Sequence, residues 1–118
     1  MSYDISFCIK VDGTNIWFDT GYCDRNITWN LQEMITESTG LKWGSYGNIG
    51  LVKDIIPKIE AGLKELKENG EKYRKYESPN GWGSVENCAV FFKDIISDWD
   101  DLLYFNEQIK DYVTFWIL

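Results

Sequence analysis

The 118-residue chain contains no histidine. Imidazole is the commonest general base and a frequent metal ligand. Ser–His and Cys–His dyads are therefore excluded, and a zinc site would have to use thiolates and carboxylates alone. Cysteine is sparse and odd in number: Cys8, Cys23 and Cys88 are spaced for neither a disulfide framework nor a zinc site. Reduced thiols in a cytoplasmic setting are the expectation. No apolar run approaches the roughly 20 residues that span a bilayer. The opening MSYDISFCIK lacks the basic flank and apolar stretch of a signal peptide. Positive charge is also short. Twelve Lys and Arg face nineteen Asp and Glu, a net charge of −7, which argues against direct contact with nucleic-acid phosphates.

Aromatic side chains are abundant by contrast: six Trp, seven Tyr and six Phe. Two uses compete for them. One is a core built from large rings, and the other is a surface that binds a partner, since Trp and Tyr are enriched at interface hot spots. The length fits a single domain, residues 1–118, with no repeat, low-complexity segment or linker. Charge is uneven along it. From Ser84 to Leu118 seven acids face only Lys93 and Lys110, whereas Lys53 to Lys75 holds seven bases against five acids.

Residues 3 to 11 alternate, with Tyr3, Ile5, Phe7, Ile9 and Val11 on one face and Asp4, Ser6, Cys8 and Lys10 on the other. That is the pattern of a half-buried strand. Asp12-Gly13 then signals a two-residue type I′ hairpin turn. Its register sets Ile9 opposite Ile16 and Phe7 opposite Phe18, so Ile5, Phe7, Ile9, Ile16 and Phe18 share one core face. Trp17 falls on the other face, across from Cys8. A first helix, capped by Asn26 or Thr28, carries Leu31, Met34 and Ile35 and ends at Thr39-Gly40. LKWGSYGNIG reads as a glycine-rich loop.

Val52, Ile55, Ile56, Ile59, Leu63 and Leu66 form the apolar stripe of a second helix. With Asp54 as its N-cap, Pro57 falls in the first turn, where the missing N–H is harmless. EKYRKYE makes a short basic turn. Ser84 then caps the longest helix, running to about Phe105, and YVTFWIL closes the chain as a strand. The reading is an α+β fold: a small antiparallel sheet, made of the N-terminal β-hairpin and the C-terminal strand, with three to four helices packed on one face.

Few residues offer chemistry. Cys8 and Cys88 sit on a strand and on a helix stripe, as structural thiols do, and Cys23 in a loop is the one expected to be reachable. GSYGNIG could present amides to an anion but lacks the G-K-[ST] ending of a phosphate-binding loop. Asp94, Asp98 and Asp101 recur at i, i+4 and i+7 and share one outer helix face, either simply solvated or docking a basic partner. They lack the alternating pattern of a calcium loop. Trp43 and Trp82 each sit in a glycine-rich stretch, and both fit a plug in the domain better than an uncovered contact. In NGWGS, Trp82 is expected to fold back under the start of the long helix. Trp17 and Trp116 are expected together on the sheet face away from the helices, where a partner or a second copy of the chain would meet them.

NITWN, STGLKW, GLVKDIIPKIEAGLKEL, YRKYESPNGWGSVE and the closing FWIL resemble small hypothetical proteins of phages and prophages of Gram-positive bacteria. The resemblance implies a setting, an accessory protein of a mobile element, of the kind that often inhibits host defences such as restriction or CRISPR systems. The expectation is a non-enzymatic cytoplasmic protein that binds another protein, with no cofactor and no metal, through Asp94, Asp98, Asp101, Trp17, Trp116, Trp82 and Trp43. The alternatives are a small-molecule or nucleotide binder using the glycine-rich loops, and an immunity-type protein with a dedicated partner.

Overall fold

A computed structural model describes residues 1–118. The elements run β1 (Ser2–Lys10), β2 (Trp17–Thr28), α1 (Gln32–Thr39), β3 (Gly47–Leu51), α2 (Val52–Asn69), α3 (Val85–Asn106) and β4 (Thr114–Ile117), with short helical turns at Trp29–Leu31, Gly70–Tyr76 and Glu107–Ile109. The four strands form one antiparallel sheet in the order β2-β1-β4-β3. The α+β reading holds, and the terminal strand is central: β4 pairs with β1 on one side and β3 on the other.

The hairpin differs from its expected form. The loop spans four residues, because the Val11 N–H donates to the Ile16 carbonyl at 2.8 Å and the Thr14 N–H to the Val11 carbonyl at 3.1 Å. Only Gly13 takes a positive φ, of 74°, whereas a type I′ turn needs one at Asp12 as well. Ile9 consequently pairs with Phe18 and Lys10 with Trp17. This two-residue slip keeps every side chain on its expected face. It also carries the hairpin beyond the helices, so Ile16 and Phe18 are exposed instead of joining the core. Further along, a bulge between Ser6 and Cys8 lets β2 continue to Thr28, where a loop was expected. Thr28 then caps the following turn, its hydroxyl accepting from the Asn30 N–H.

The glycine-rich stretch is the other departure. Gly47–Leu51 is an edge strand on β4, bulged between Asn48 and Gly50, and the Asn48 side chain accepts the Gly50 N–H at 2.9 Å. It leads directly into α2, which starts at Val52 rather than after Asp54. Pro57 therefore lies in the second turn. The Val52 N–H is held by the Val113 carbonyl at 2.9 Å, a sheet-like bond that fixes this start whatever the cap. Ser84 caps α3 as expected, accepting the Asn87 N–H at 3.0 Å.

One core of 26 buried residues lies between the sheet and the helices. Tyr3, Ile5, Phe7, Phe115 and Ile117 come from the sheet, and Met34, Ile35, Ile59, Phe92, Ile95 and Leu102 from the helices. Trp43 belongs to it, edge-on to Phe91 and Phe115 with ring centroids 5.8 Å away in each case. No helix is long and apolar enough to cross a membrane.

Candidate interaction surface

Asp98 does not share an outer face with Asp94 and Asp101. It is buried, and Arg25 on β2 grips it through both carboxylate oxygens, Nε to Oδ2 and Nη2 to Oδ1, each at 2.7 Å. Asp94 is half-exposed and sits 3.7 Å from the same guanidinium, while Asp101 faces solvent. The reason lies in the strand extension. Once β2 reaches Thr28, Arg25 falls between buried Cys23 and Ile27 on the helix-facing side, where α3 supplies its counter-charge. The acidic stripe is thus partly a fastening between α3 and the sheet. Arg25 was the missing signal, the lone cation in an alternating stretch.

Cys23 is wholly buried, correcting its expected place in a reachable loop. Burial, followed by the charge of Asp98, pushes its thiol well above the ordinary range. Burial alone pushes Cys88 up to about 12, and burial with Asp19 raises Cys8. None is poised as a nucleophile. Trp43 is equally unavailable to a partner.

Trp82 shows the opposite correction. It does not fold under α3 but stands 69% exposed on its turn. The flanking glycines have separate causes. Gly81 has a φ of 77° in open space. Gly83, at 126°, is pressed so closely on Leu31 that a Cβ would lie 3.1 Å from Leu31 Cδ2.

Trp17 and Trp116 meet as expected on the sheet face without helices, with centroids 5.1 Å apart in an edge-on arrangement. They are half-buried, and Cys8, lying between them in the register, is buried. The Trp116 indole N–H donates to Thr114 Oγ1 at 2.8 Å, and that hydroxyl donates to the Cys8 carbonyl at 2.9 Å. The pair is a fixed ridge with one side left open.

An uncovered apolar surface lies beside that ridge at the hairpin end. Pairing of Cys8 with Thr114 places the segment before β4 beside the hairpin foot. A 2.7 Å hydrogen bond from Asn106 to the Tyr22 hydroxyl brings the end of α3 to β2 there. Val11, Ile16, Phe18, Tyr104, Phe105 and Tyr112 are all exposed at this end. Beside them opens a cleft of about 540 Å³, whose walls include Ile9, Trp17, Ile109 and Tyr112 together with the charged Lys10 and Asp12. Asp12 in its wall, and Asp19 and Asp101 exposed elsewhere on the surface, have no ion-pair partners. Sequence periodicity missed this surface because Ile16 and Phe18 alternate like core residues, and only the loop length takes them past the helices.

The glycine-rich stretch offers no comparable cradle, since Gly47–Leu51 is paired with β4 and the space beside Gly44 is filled by Gln32. Compared with family models, curated proteins and solved structures, the chain matches none.

Proposed function

We propose that this chain is a non-enzymatic protein-binding module whose contact surface is the hairpin end. The observation that carries the reading is the exposure of six large apolar side chains at the hairpin end, beside a cleft walled by Trp17 and Tyr112. Exposed apolar groups clustered in this way favour association, because burying them removes water-exposed hydrocarbon. Lys10 and Asp12 give the cleft one charge of each sign, and the carboxylates that suit a partner with a basic rim lie outside it, in exposed Asp19 and Asp101 and half-exposed Asp94. Such charges steer encounter more than they hold the complex. The resemblance to phage and prophage proteins gives the reading its specific form, an inhibitor of a host defence protein.

The test is capture from a Gram-positive host lysate with quantitative mass spectrometry, using the wild type and the double variant Phe18→Ser with Phe105→Ser. Both side chains are exposed, so the variant is expected to melt close to the wild type while losing its captured partner. A variant that still captured the same protein at the same level would remove the hairpin end as the contact surface.

A further inference from the structure

The opposite end of the molecule carries a second surface of different chemistry. A groove of about 740 Å³ lies where the chain enters β1, where β2 ends and where the turn before α3 passes. Trp29 and Trp82 line it, together with Asn26, Asn30, Asn80 and Thr28. No Asp, Glu, Lys or Arg side chain does, although such residues make up 26% of the chain. Apart from the terminal ammonium of Met1, which also lines it, the groove is uncharged, amide-rich and flanked by two indoles.

Both indoles are held from behind. Trp29 packs on Tyr3 at 5.7 Å between ring centroids, and its backbone N–H donates to the Met1 carbonyl at 3.2 Å. Trp82 projects from a turn in which its own N–H is accepted by Asn80 Oδ1 at 2.9 Å, an oxygen that also receives the Ser78 hydroxyl at 2.6 Å. The amides are oriented by the same bonds. Asn80 uses its oxygen internally and leaves its NH₂ group to the groove. Asn26 donates to Ser2 Oγ and Asp4 Oδ1 at 2.9 and 2.7 Å and leaves its oxygen. The side chain of Asn30 makes no hydrogen bond within the protein. Free donors and free acceptors therefore stand between two flat apolar faces.

We propose that this groove binds a neutral glycan. A pyranose ring has an apolar C–H face, which suits an indole, and a rim of hydroxyls that both donate and accept, which suits carboxamides. The charge pattern rejects the competing ligands. A single-stranded nucleic acid would also stack on tryptophan, but it needs a row of cations along its phosphates, and the groove has only the Met1 ammonium on a chain of net charge −7. A purely apolar surface laid over the groove would leave the asparagine amides unpaired. No carboxylate lines the groove. The acid and nucleophile pair of a glycosidase is therefore missing from its walls, and the site binds without cleaving.

The test titrates three probes, the β-1,4-linked tetramers of N-acetylglucosamine and of glucose and the α-1,4-linked tetramer of glucose, into the full chain. Binding is followed by tryptophan fluorescence and by amide chemical shifts. At least one tetramer is expected to bind saturably, shifting Trp82, Trp29 and Asn30. Trp82→Ala should weaken binding about tenfold or more, the loss of one stacking face. Asn30→Ala should weaken it less, and neither change should alter melting appreciably. Oligothymidylate is the counter-probe. No shift with any tetramer at millimolar concentration overturns the proposal. So does glycan binding unchanged in Trp82→Ala, or oligothymidylate binding in place of glycan.

Discussion

Arg25 and Asp98 form an asymmetric pair. The Asp98 side chain is 8% accessible and that of Arg25 39%. Removing either partner breaks the same two hydrogen bonds, but the survivors differ. Arg25→Ala leaves a carboxylate buried beside the Cys23 thiol, a loss of about 3 kcal/mol or more. Asp98→Ala leaves a guanidinium that reaches water and keeps Asp94 within 3.7 Å, so the cost falls to about 1–2 kcal/mol. Urea denaturation of the two variants should reproduce that order. Equal losses would mean that the carboxylate rehydrates when the pair is broken. The i, i+4, i+7 spacing of Asp94, Asp98 and Asp101 was legible in the sequence, but their partner was not. Spacing fixes which residues share a stripe and is silent on what lies opposite it, here a strand residue 73 positions away.

Among the elements, those with a strong period were readable and those defined by pairing were not. The alternation of β1, the Ser84 cap of α3 and the Gly40 stop of α1 all follow from local chemistry, and Gly40 takes the left-handed conformation, with a φ of 77°. β3 has no period, two of its five residues are glycine, and it exists only because β4 provides a ladder. Gly62 shows a similar limit. Within the periodic α2 it looks merely tolerated, yet a Cβ there would lie 2.6 Å from Thr39 Cγ2 and 3.1 Å from the Phe92 ring. Thr39 cannot easily turn aside, because its hydroxyl is bonded to the Ile35 carbonyl at 2.6 Å and to the Leu41 N–H at 3.1 Å. Gly62→Ala gains up to about 1 kcal/mol of helix propensity and incurs about 1–3 kcal/mol of overpacking. A net destabilisation is expected. Thr39→Ser keeps the hydroxyl and removes the methyl, so it should recover part of the loss in the double variant. If Gly62→Ala alone raised the melting temperature, the close approach of α1 to α2 would be looser than described.

At the scale of the whole molecule, the radius of gyration of 14.4 Å exceeds the roughly 13.5 Å of a compact domain of this length. The excess fits the hairpin end that extends past the helices, the end where candidate contacts were hardest to read from sequence. Trp17 and Trp116 were legible as a pair because face parity survives a two-residue slip, whereas the exposure of Phe18 depended on the slip itself. Charge acts at this scale too. With no histidine in the sequence and all three thiols raised, stability should vary little between about pH 6 and about pH 8. The acid limb has an identifiable contributor. Hydrogen bonds from Arg74, at 2.6 and 2.8 Å, hold the Glu86 carboxylate down at about 2, while its ordinary value is 4.5. A depressed folded value stabilises above the unfolded value, and that contribution disappears as pH falls through the folded one. Arg74 also holds Glu77, whose carboxylate accepts the Val85 N–H at the start of α3, so this cluster joins the Gly70–Tyr76 turn to that helix. The pair is solvent-exposed and screened, which keeps its effect small. The informative quantity is therefore the difference in melting temperature between wild type and Glu86→Gln, which largely cancels the global charge repulsion. That difference should be constant above about pH 5 and shrink towards zero as pH approaches about 2. A difference that persisted unchanged at the acid end would assign the role of Glu86 to packing rather than to its charge.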